Sequence, residues 1–347
     1  MNTWQKIHIA PELIGSGHSI TYFNPLIYST SRAKEELCKL ARSKQFDVFI
    51  NSMGSDFISK HEISEISKAG IFTILICYDN THSPFMHKDI ASSFDLVWLT
   101  SYDNINIFKN WNSNIIIQPY ACNPDIFKPH WDDRISKICF IGTPYGYRTN
   151  IINTLTSNFL DVDLYADISS NIRQNDLALV NKYFFINILN NLKIPIGRKI
   201  LLSKIISKIK SKPSLIDNSH LSILKPLKFE DISKKYSNST LSLNVIELRN
   251  TGVLKNPVLK LHLRTFEIPM SGGLMLVRRS KELENYFDDR KEVLCYDSED
   301  EMISLAKYFL FQAKDKEVLK MKINARKRSI AEHTWSHRFN AIFNKIK

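Results

Sequence analysis

Residues 255–277 read KNPVLKLHLRTFEIPMSGGLMLV, a helix and a strand written back to back. Asn256 is a good N-cap, Pro257 suits the first helical position, and Gly272 and Gly273 suit a helix stop before the apolar run 274–277. The pattern predicts a helix over 257–271. On it Lys260, Arg264, Glu267 and Ser271 fall at i, i+4, i+7 and i+11 and share one face, with Leu259, Leu263, Phe266 and Met270 as an apolar stripe beside them. A helix delivered into a short apolar run is half of a βαβ unit, and the preceding run 241–245 supplies its first strand.

The same alternation extends in both directions. Apolar runs at 20–23, 48–51, 73–78, 96–100 and 115–119 form one set of strand candidates, and runs at 137–141, 162–165, 241–245, 274–277 and 293–296 form a second. Between them, 123–133 carries Pro124, Pro129 and three Asp without either periodicity and reads as a linker. The fold class expected is α/β, with two doubly wound, Rossmann-like domains at 1–125 and 135–325 and a final helix in 326–347. At 347 residues the chain exceeds what one core usually spans, in agreement with two domains. The start departs from the pattern, because residues 4–14 read as a helix with Gly17 as its C-cap; the first strand is then the compressed 6–10, or is missing.

A polar, Asn- and Lys-rich insertion is expected over 170–222. Winding its 198–210 stretch puts Leu201, Leu202, Ile205, Ile206 and Ile209 on one side, and Lys199, Lys204, Lys208 and Lys210 around Ser203 and Ser207 on the other. Such a basic amphipathic helix can lie on an anionic membrane surface or dock on its own domain.

Composition narrows the classes. The longest apolar runs, such as 71–77, are far too short to span a bilayer, and residues 1–10 lack the pattern of a secretory signal, so the expected location is cytoplasmic. Cys38, Cys77, Cys122, Cys139 and Cys295 are odd in number and form no C-x-x-C pair, which argues against a disulfide framework and a zinc site. A net charge of +12 favours an anionic partner, either an acidic membrane surface or a phosphorylated substrate. Nucleic acid is the weakest of the anionic partners, since the basic residues do not interleave with aromatics on one element.

Several residues invite a chemical reading. Lys260 and Arg264 can neutralise a diphosphate and Glu267 can accept hydrogen bonds from ribose hydroxyls, although the same face reads equally as a salt-bridged solvent surface. The loop 142–147 runs from a strand to a helix near Arg148, so Gly142 and Thr143 can turn backbone N–H groups towards a phosphate, or simply mark a turn. Asn244 sits at a C-terminal strand end, where open α/β sheets bind ligands, and is also an ordinary turn residue. Asp79 follows a strand and can serve as general base or orient an acceptor hydroxyl, or act as turn chemistry. His82 and His87 lack partners at metal spacing, and no metal or other cofactor is expected.

Four segments together resemble the CgeB-like (spore maturation protein type) glycosyltransferases, a branch of the GT-B superfamily: GHSITYFNP at 17–25, the strands FDVFI at 46–50 and TILICYDN at 73–80, FIGTPYGYR at 140–148, and LRTFEIPMSGG at 263–273. The last is the most specific. The resemblance implies a GT-B fold, two Rossmann-like domains facing a cleft with the C-terminal helix crossing back from HTWSHR at 333–338. It implies an N-terminal acceptor domain, a C-terminal donor domain, and metal-independent, retaining transfer of a sugar, as in a hexosyltransferase of cell surface polysaccharide biosynthesis. Arg264, Lys260 and Asp79 are the catalytic candidates; Glu267, Gly142, Thr143, Arg148, Asn244, Gly272 and Gly273 are the donor-binding ones. The partners implied are a nucleotide-sugar and a glycan, lipid-linked or protein acceptor. His18 in this context marks a helix-to-strand turn. One departure matters: related retaining enzymes carry a second glutamate eight positions before the one matched by Glu267, and here that position is Leu259. Other outcomes left open are a non-catalytic binding or scaffold protein on the same fold, an inverting transferase, and a nucleotide-sugar epimerase.

Overall fold

A computed structural model describes residues 3–132, 134–167, 188–210 and 215–346. Residues 170–187 and 211–214 of the expected insertion lie outside the described residues. The chain divides into two compact units, residues 1–120 with 335–347, and residues 121–334.

The first unit is built on four parallel strands, β1 (Val48–Asn51), β2 (Phe72–Cys77), β3 (Leu96–Leu99) and β4 (Ile115–Ile117), laid side by side in chain order. Strand β3 is buried along its whole length, as expected of a parallel strand covered on both faces. Helices α1 (Thr3–His8), α2 (Ala10–Gly15), α3 (Thr30–Arg42), α4 (Lys60–Lys68) and α5 (Ile105–Lys109) belong to this unit. Ser59 starts α4 with a capping box, its N–H and hydroxyl both donating to Glu62 Oε2, at 2.8 and 2.6 Å. Ile63 and Ile66 of α4 pack under the sheet. The C-terminal helix, Trp335–Ile346, is part of the same unit. Its Phe339 meets Trp98 edge to face at 5.3 Å, and Arg338 donates to the carbonyls of Pro119 and Tyr120 at 3.2 and 3.3 Å.

Two expectations are decided here. Residues 6–10 lie in the two short helices and the turn between them, so among the described residues no strand precedes β1, and of the two readings of the start the one without a first strand holds. Residues 20–23 are not a strand: Asn24 Oδ1 accepts from Leu26 N–H at 3.2 Å, nucleating a 3-10 turn at Pro25–Ile27 that turns the chain away from the sheet. Strand β1 therefore forms an edge of the sheet.

The second unit holds six parallel strands: β5 (Ile135–Ile141), β6 (Val162–Tyr165), β7 (Leu221–Leu224), β8 (Ser239–Asn244), β9 (Met275–Arg278) and β10 (Leu294–Tyr296). Their spatial order is β10-β9-β8-β5-β6-β7. The chain winds outward from β5 through β6 to β7, then returns to place β8 on the other side of β5. The β5/β8 boundary is thus a topological switch point, where loops at the C-terminal strand ends diverge and leave a crevice. Helices α6 (Tyr147–Ser157), α7 (Pro195–Lys210), α8 (Phe229–Asn238), α9 (Leu263–Met270), α10 (Glu299–Phe311) and α11 (Asp315–Glu332) complete the unit.

Strand β7 begins inside the stretch read as an insertion, whose end at 222 it overruns, and α9 begins at Leu263 instead of 257. Residues 258–260 are drawn into pairing with 246–248: Leu248 N–H donates to Val258 O and Lys260 N–H to Ile246 O, both at 2.8 Å. Residues 123–132 are integral to this unit, with Trp131 Nε1 donating to Gly272 O at 2.9 Å and His130 N–H to Ser237 Oγ at 3.0 Å. Helix α11 runs through residue 326 and ends at Glu332.

Gly272 takes a left-handed backbone, φ +70, and a Cβ there would lie 2.7 Å from Trp131. Gly70 is left-handed too, φ +86, but faces open space. Gly70→Ala should cost about 1–2 kcal/mol of unfolding free energy in urea, and Gly272→Ala measurably more, because Trp131 must also move; equal losses would show that the Trp131 seat contributes nothing.

Candidate functional site

The candidate site is built on the C-terminal edge of the second unit's sheet, at the β5/β8 switch point. Gly142 directly follows β5, with φ +133 and its N–H donating to Tyr165 O at 3.0 Å. A Cβ at this position would overlap the Arg264 guanidinium, so the side chain of α9 lies on bare backbone of the β5 loop. The same guanidinium stands 5.4 Å over the Phe140 ring. Further along the loop, Arg148 Nη1 donates to Thr143 O at 3.1 Å and stacks on Tyr145 at 4.3 Å. Gly146 has φ +61 and leads into α6, whose first residue, Tyr147, donates its N–H to Arg249 O at 2.9 Å.

Helix α9 is aimed by side-chain hydrogen bonds. Asn244, the last residue of β8, donates from Nδ2 to Thr265 Oγ1 at 3.2 Å. His262 is the N-cap of α9, and its Nε2 lies 3.3 Å from Val245 O. Burial, with Arg264, Arg148 and Lys260 nearby, holds the His262 imidazole well below its usual range, so the ring is neutral. Burial and the neighbouring Arg264 likewise bring Arg148 down to about 10. Three fixed cations and the N-terminal ends of α6 and α9 therefore surround one stretch of loop. Such an arrangement is unfavourable on its own and favourable once an anion enters.

Glu267 sits one turn along α9 from Arg264. Desolvation pushes its carboxyl up to about 7, against the pull of Arg264. The group is thus poised between acceptor and donor of hydrogen bonds near neutrality.

The structure brings Gly142, Thr143, Arg148, Asn244, Lys260, Arg264 and Glu267 to this region, but not all as the sequence pattern has it. Lys260 is not on the helix face with Arg264; it comes from the paired segment before α9 and is buried. Asn244 positions α9 through Thr265. Gly272 and Gly273 are corrected: they lie past the C-terminal end of α9, where β9 begins, which is the other edge of the sheet from Gly142, and they pack against Trp131 and the Tyr236 backbone. Their missing side chains serve packing, not donor contact. Asp79 belongs to the first unit, in the turn after β2; its backbone oxygen accepts from His82 and Ser83 N–H, and its carboxylate lies 3.8 Å from His82 Nδ1. Leu259 bridges to Glu247 across an antiparallel pair, so a carboxylate does stand in register with the position lacking one. The Glu247 side chain is fully buried against Arg278, at 3.5 Å, and desolvation holds it above the usual carboxylate range. His262 and Thr265 were not legible as site residues, because their roles depend on where α9 starts. Among the described residues, no group of three or more His, Cys, Asp or Glu is arranged to hold a metal.

Residues 210–344 match a protein family described as glycosyl transferase-like. No curated protein sequence matches the chain. Among solved structures, Anabaena Alr3699/HepE in complex with UDP is similar at 9% identity and a TM-score of 0.59, over 97% of this chain and 89% of that one. A glycosyltransferase from Rickettsia africae matches at 10% identity and a TM-score of 0.53, over 97% and 86%. TarM, solved also as a mutant of the S. aureus protein, matches at 10% identity and a TM-score of 0.55; the alignment covers 90% of this chain and 58% of TarM, so the chain spans less than two thirds of that protein. These likenesses show the fold: α/β, GT-B, with two Rossmann-like domains.

The Glu267 carboxyl makes a directional prediction. The folded chain holds this proton up to about 7 while the unfolded chain releases it near the ordinary 4.5. This group's contribution to stability therefore falls as pH rises through that window. Urea midpoints at about pH 5 and about pH 8 should show Glu267→Gln gaining on wild type at the higher value; a constant difference would mean that the carboxyl is not desolvated.

Proposed function

We propose that the chain is a glycosyltransferase of the GT-B type whose second unit holds a nucleotide-sugar donor at the β5/β8 crevice. The observation that carries this reading is the seat of Arg264 on Gly142, with Arg148 on the same loop and Glu267 one turn further along α9. The family likeness over 210–344 and the UDP and UDP-glucose complexes of HepE support it. So does the resemblance of 263–273 to the CgeB-like branch, to which we assign the chain.

In this mechanism Arg264, Arg148 and Lys260, with the N-termini of α6 and α9, hold the diphosphate. Thr143 and the Gly142 backbone line the phosphate loop, and ionised Glu267 accepts from the ribose hydroxyls. As the bond from the anomeric carbon to the diphosphate oxygen breaks, negative charge grows on the leaving oxygen. Cations already fixed there stabilise it without reorganising, which is the role a divalent metal fills elsewhere. We assign metal-independent transfer on this basis. The acceptor hydroxyl forms the new bond and its proton passes to the leaving phosphate, giving retention of configuration. This route asks nothing of a carboxylate at Leu259. Asp79 is assigned to orienting the acceptor hydroxyl. The sugar assigned is a hexose and the acceptor a glycan, in line with the glycan-bound TarM neighbour, whose complex holds fondaparinux and α-GlcNAc-glycerol with UDP.

The test is a thermal-shift and donor-hydrolysis screen against uridine, guanosine, adenosine and cytidine nucleotide-sugars, with and without EDTA. One nucleotide family should stabilise the protein regardless of EDTA. Loss of a charge-assisted contact costs about 1.5–3 kcal/mol, so Arg264→Ala should weaken that response about 10- to 150-fold. Binding of a nucleotide without sugar release would identify a binding protein on this fold, and unchanged transfer by Arg264→Ala would remove the assigned leaving-group role.

A further inference from the structure

Helix α7 (Pro195–Lys210) is seated with Ile200 and its two serines inward. Ile200, Ser203 and Ser207 are buried, at 4, 0 and 8% exposure, while Leu202, Ile205 and Ile209 stand 50, 58 and 78% exposed. At about 100° per residue the three exposed residues lie within one narrow arc opposite the buried three. Partly exposed Leu201 and Ile206 widen the stripe on either side.

The orientation is fixed from below. The helix packs on the turn Thr251–Val253, and Lys199 Nζ donates to Asn256 O at 3.2 Å. A Cβ at Gly197 would overlap the Asn191 backbone, and Arg198 Nη1 donates to Leu192 O at 3.1 Å, so the preceding turn is tied to the helix as well. Leu189 and Leu192 of that turn are also exposed, at 58 and 48%.

The charge around the stripe has one sign. Residues 188–210 contain Lys193, Arg198, Lys199, Lys204, Lys208 and Lys210 and no carboxylate. On the helical wheel Arg198 lies at the N-terminal end of the exposed arc, and Lys199 and Lys208 lie on its two shoulders, so cations border the stripe without interrupting it.

We propose that α7 is a docking element for an anionic membrane surface, lying in the plane of the interface. Leu202, Ile205 and Ile209 enter the boundary between headgroups and acyl chains, and Arg198 and Lys208 reach lipid phosphates and carboxylates beside them. An interface that is apolar in the middle and anionic at the level of the headgroups matches both properties of this face. A second copy of the chain matches less well, since each copy carries a net +12. The inference does not rest on the glycosyltransferase reading, because its test reads partition onto vesicles and not donor binding or transfer.

Vesicle co-sedimentation of the full chain tests it, with phosphatidylcholine vesicles compared with vesicles that also contain phosphatidylglycerol. Wild type should partition about tenfold or more better onto the anionic vesicles, and lose this as sodium chloride screens the headgroups. The exposed triple variant Leu202→Ser, Ile205→Ser, Ile209→Ser should lose about tenfold in partition while keeping its melting temperature and its nucleotide response. Lys208→Ser should weaken the anionic preference while leaving binding to phosphatidylcholine vesicles unchanged. Failure of wild type to bind anionic vesicles, or equal binding by the triple serine variant, would overturn the proposal. So would light scattering that shows a dimer in wild type and a monomer in that variant, which would assign the face to self-association.

Discussion

The second unit is organised around one close approach: the Arg264 guanidinium lies on the backbone of Gly142, where no other residue leaves room. That contact ties the loop leaving β5 to the helix preceding β9, two elements from opposite sides of the switch point. Everything else at the crevice is set by where this contact holds α9. Asn244 grips Thr265, His262 caps the helix while facing Val245 O, and Arg326 of α11 donates to the carbonyls of Met270 at the far end of α9 and of Phe127 and Pro124. The hydrogen bonds of α9 thus reach β8, the stretch after β8, and the chain that opens the unit.

Electrostatics gives this arrangement its direction. Arg148 and His262 are partly buried beside Arg264, and burial first, then the neighbouring positive charge, lowers Arg148 and keeps His262 neutral. A fold that concentrates like charge in this way carries a cost that an incoming anion offsets. Glu267 is the nearest acidic group on α9, and its own desolvation leaves it half-protonated near neutrality, so it does not fully cancel the cations. Glu247, which is fully buried, is committed to Arg278.

Much of this was legible in the sequence. Nine strands fall within a residue or two of their apolar runs, because parallel strands covered on both faces need little beyond continuous apolar side chains. That the Arg264 and Glu267 pair, the Gly142 loop and Arg148 come together was legible in outline, because fixed charge beside glycine-bearing turns at strand ends shows in the sequence. Failures came where tertiary pairing overrode a local signal. Asn256-Pro257 is a sound helix start, yet residues 258–260 gain two backbone hydrogen bonds with 246–248 that a helix there would forfeit. Residues 20–23 alternate like a strand, but Asn24 closes a turn that leads the chain off the sheet. The pair Gly272-Gly273 has the composition of a ligand loop, and only the positions of Trp131 and Tyr236 reveal a packing role.

Helix α7 shows the limit of amphipathicity as a guide. Periodicity says that a helix has two unlike faces; it does not say which one the protein keeps. The usual assumption is that the apolar face turns inward, since burying each large aliphatic side chain is worth about 1.5–3 kcal/mol. Here Ile200, Ser203 and Ser207 are the buried residues, and Ser203 Oγ satisfies itself by donating to Ile200 O at 2.8 Å, so its burial leaves no unmet hydrogen bond. The side with Leu202, Ile205 and Ile209 is left exposed. A stripe of this size held outward by specific anchoring contacts has a stabilising use only if something other than water covers it.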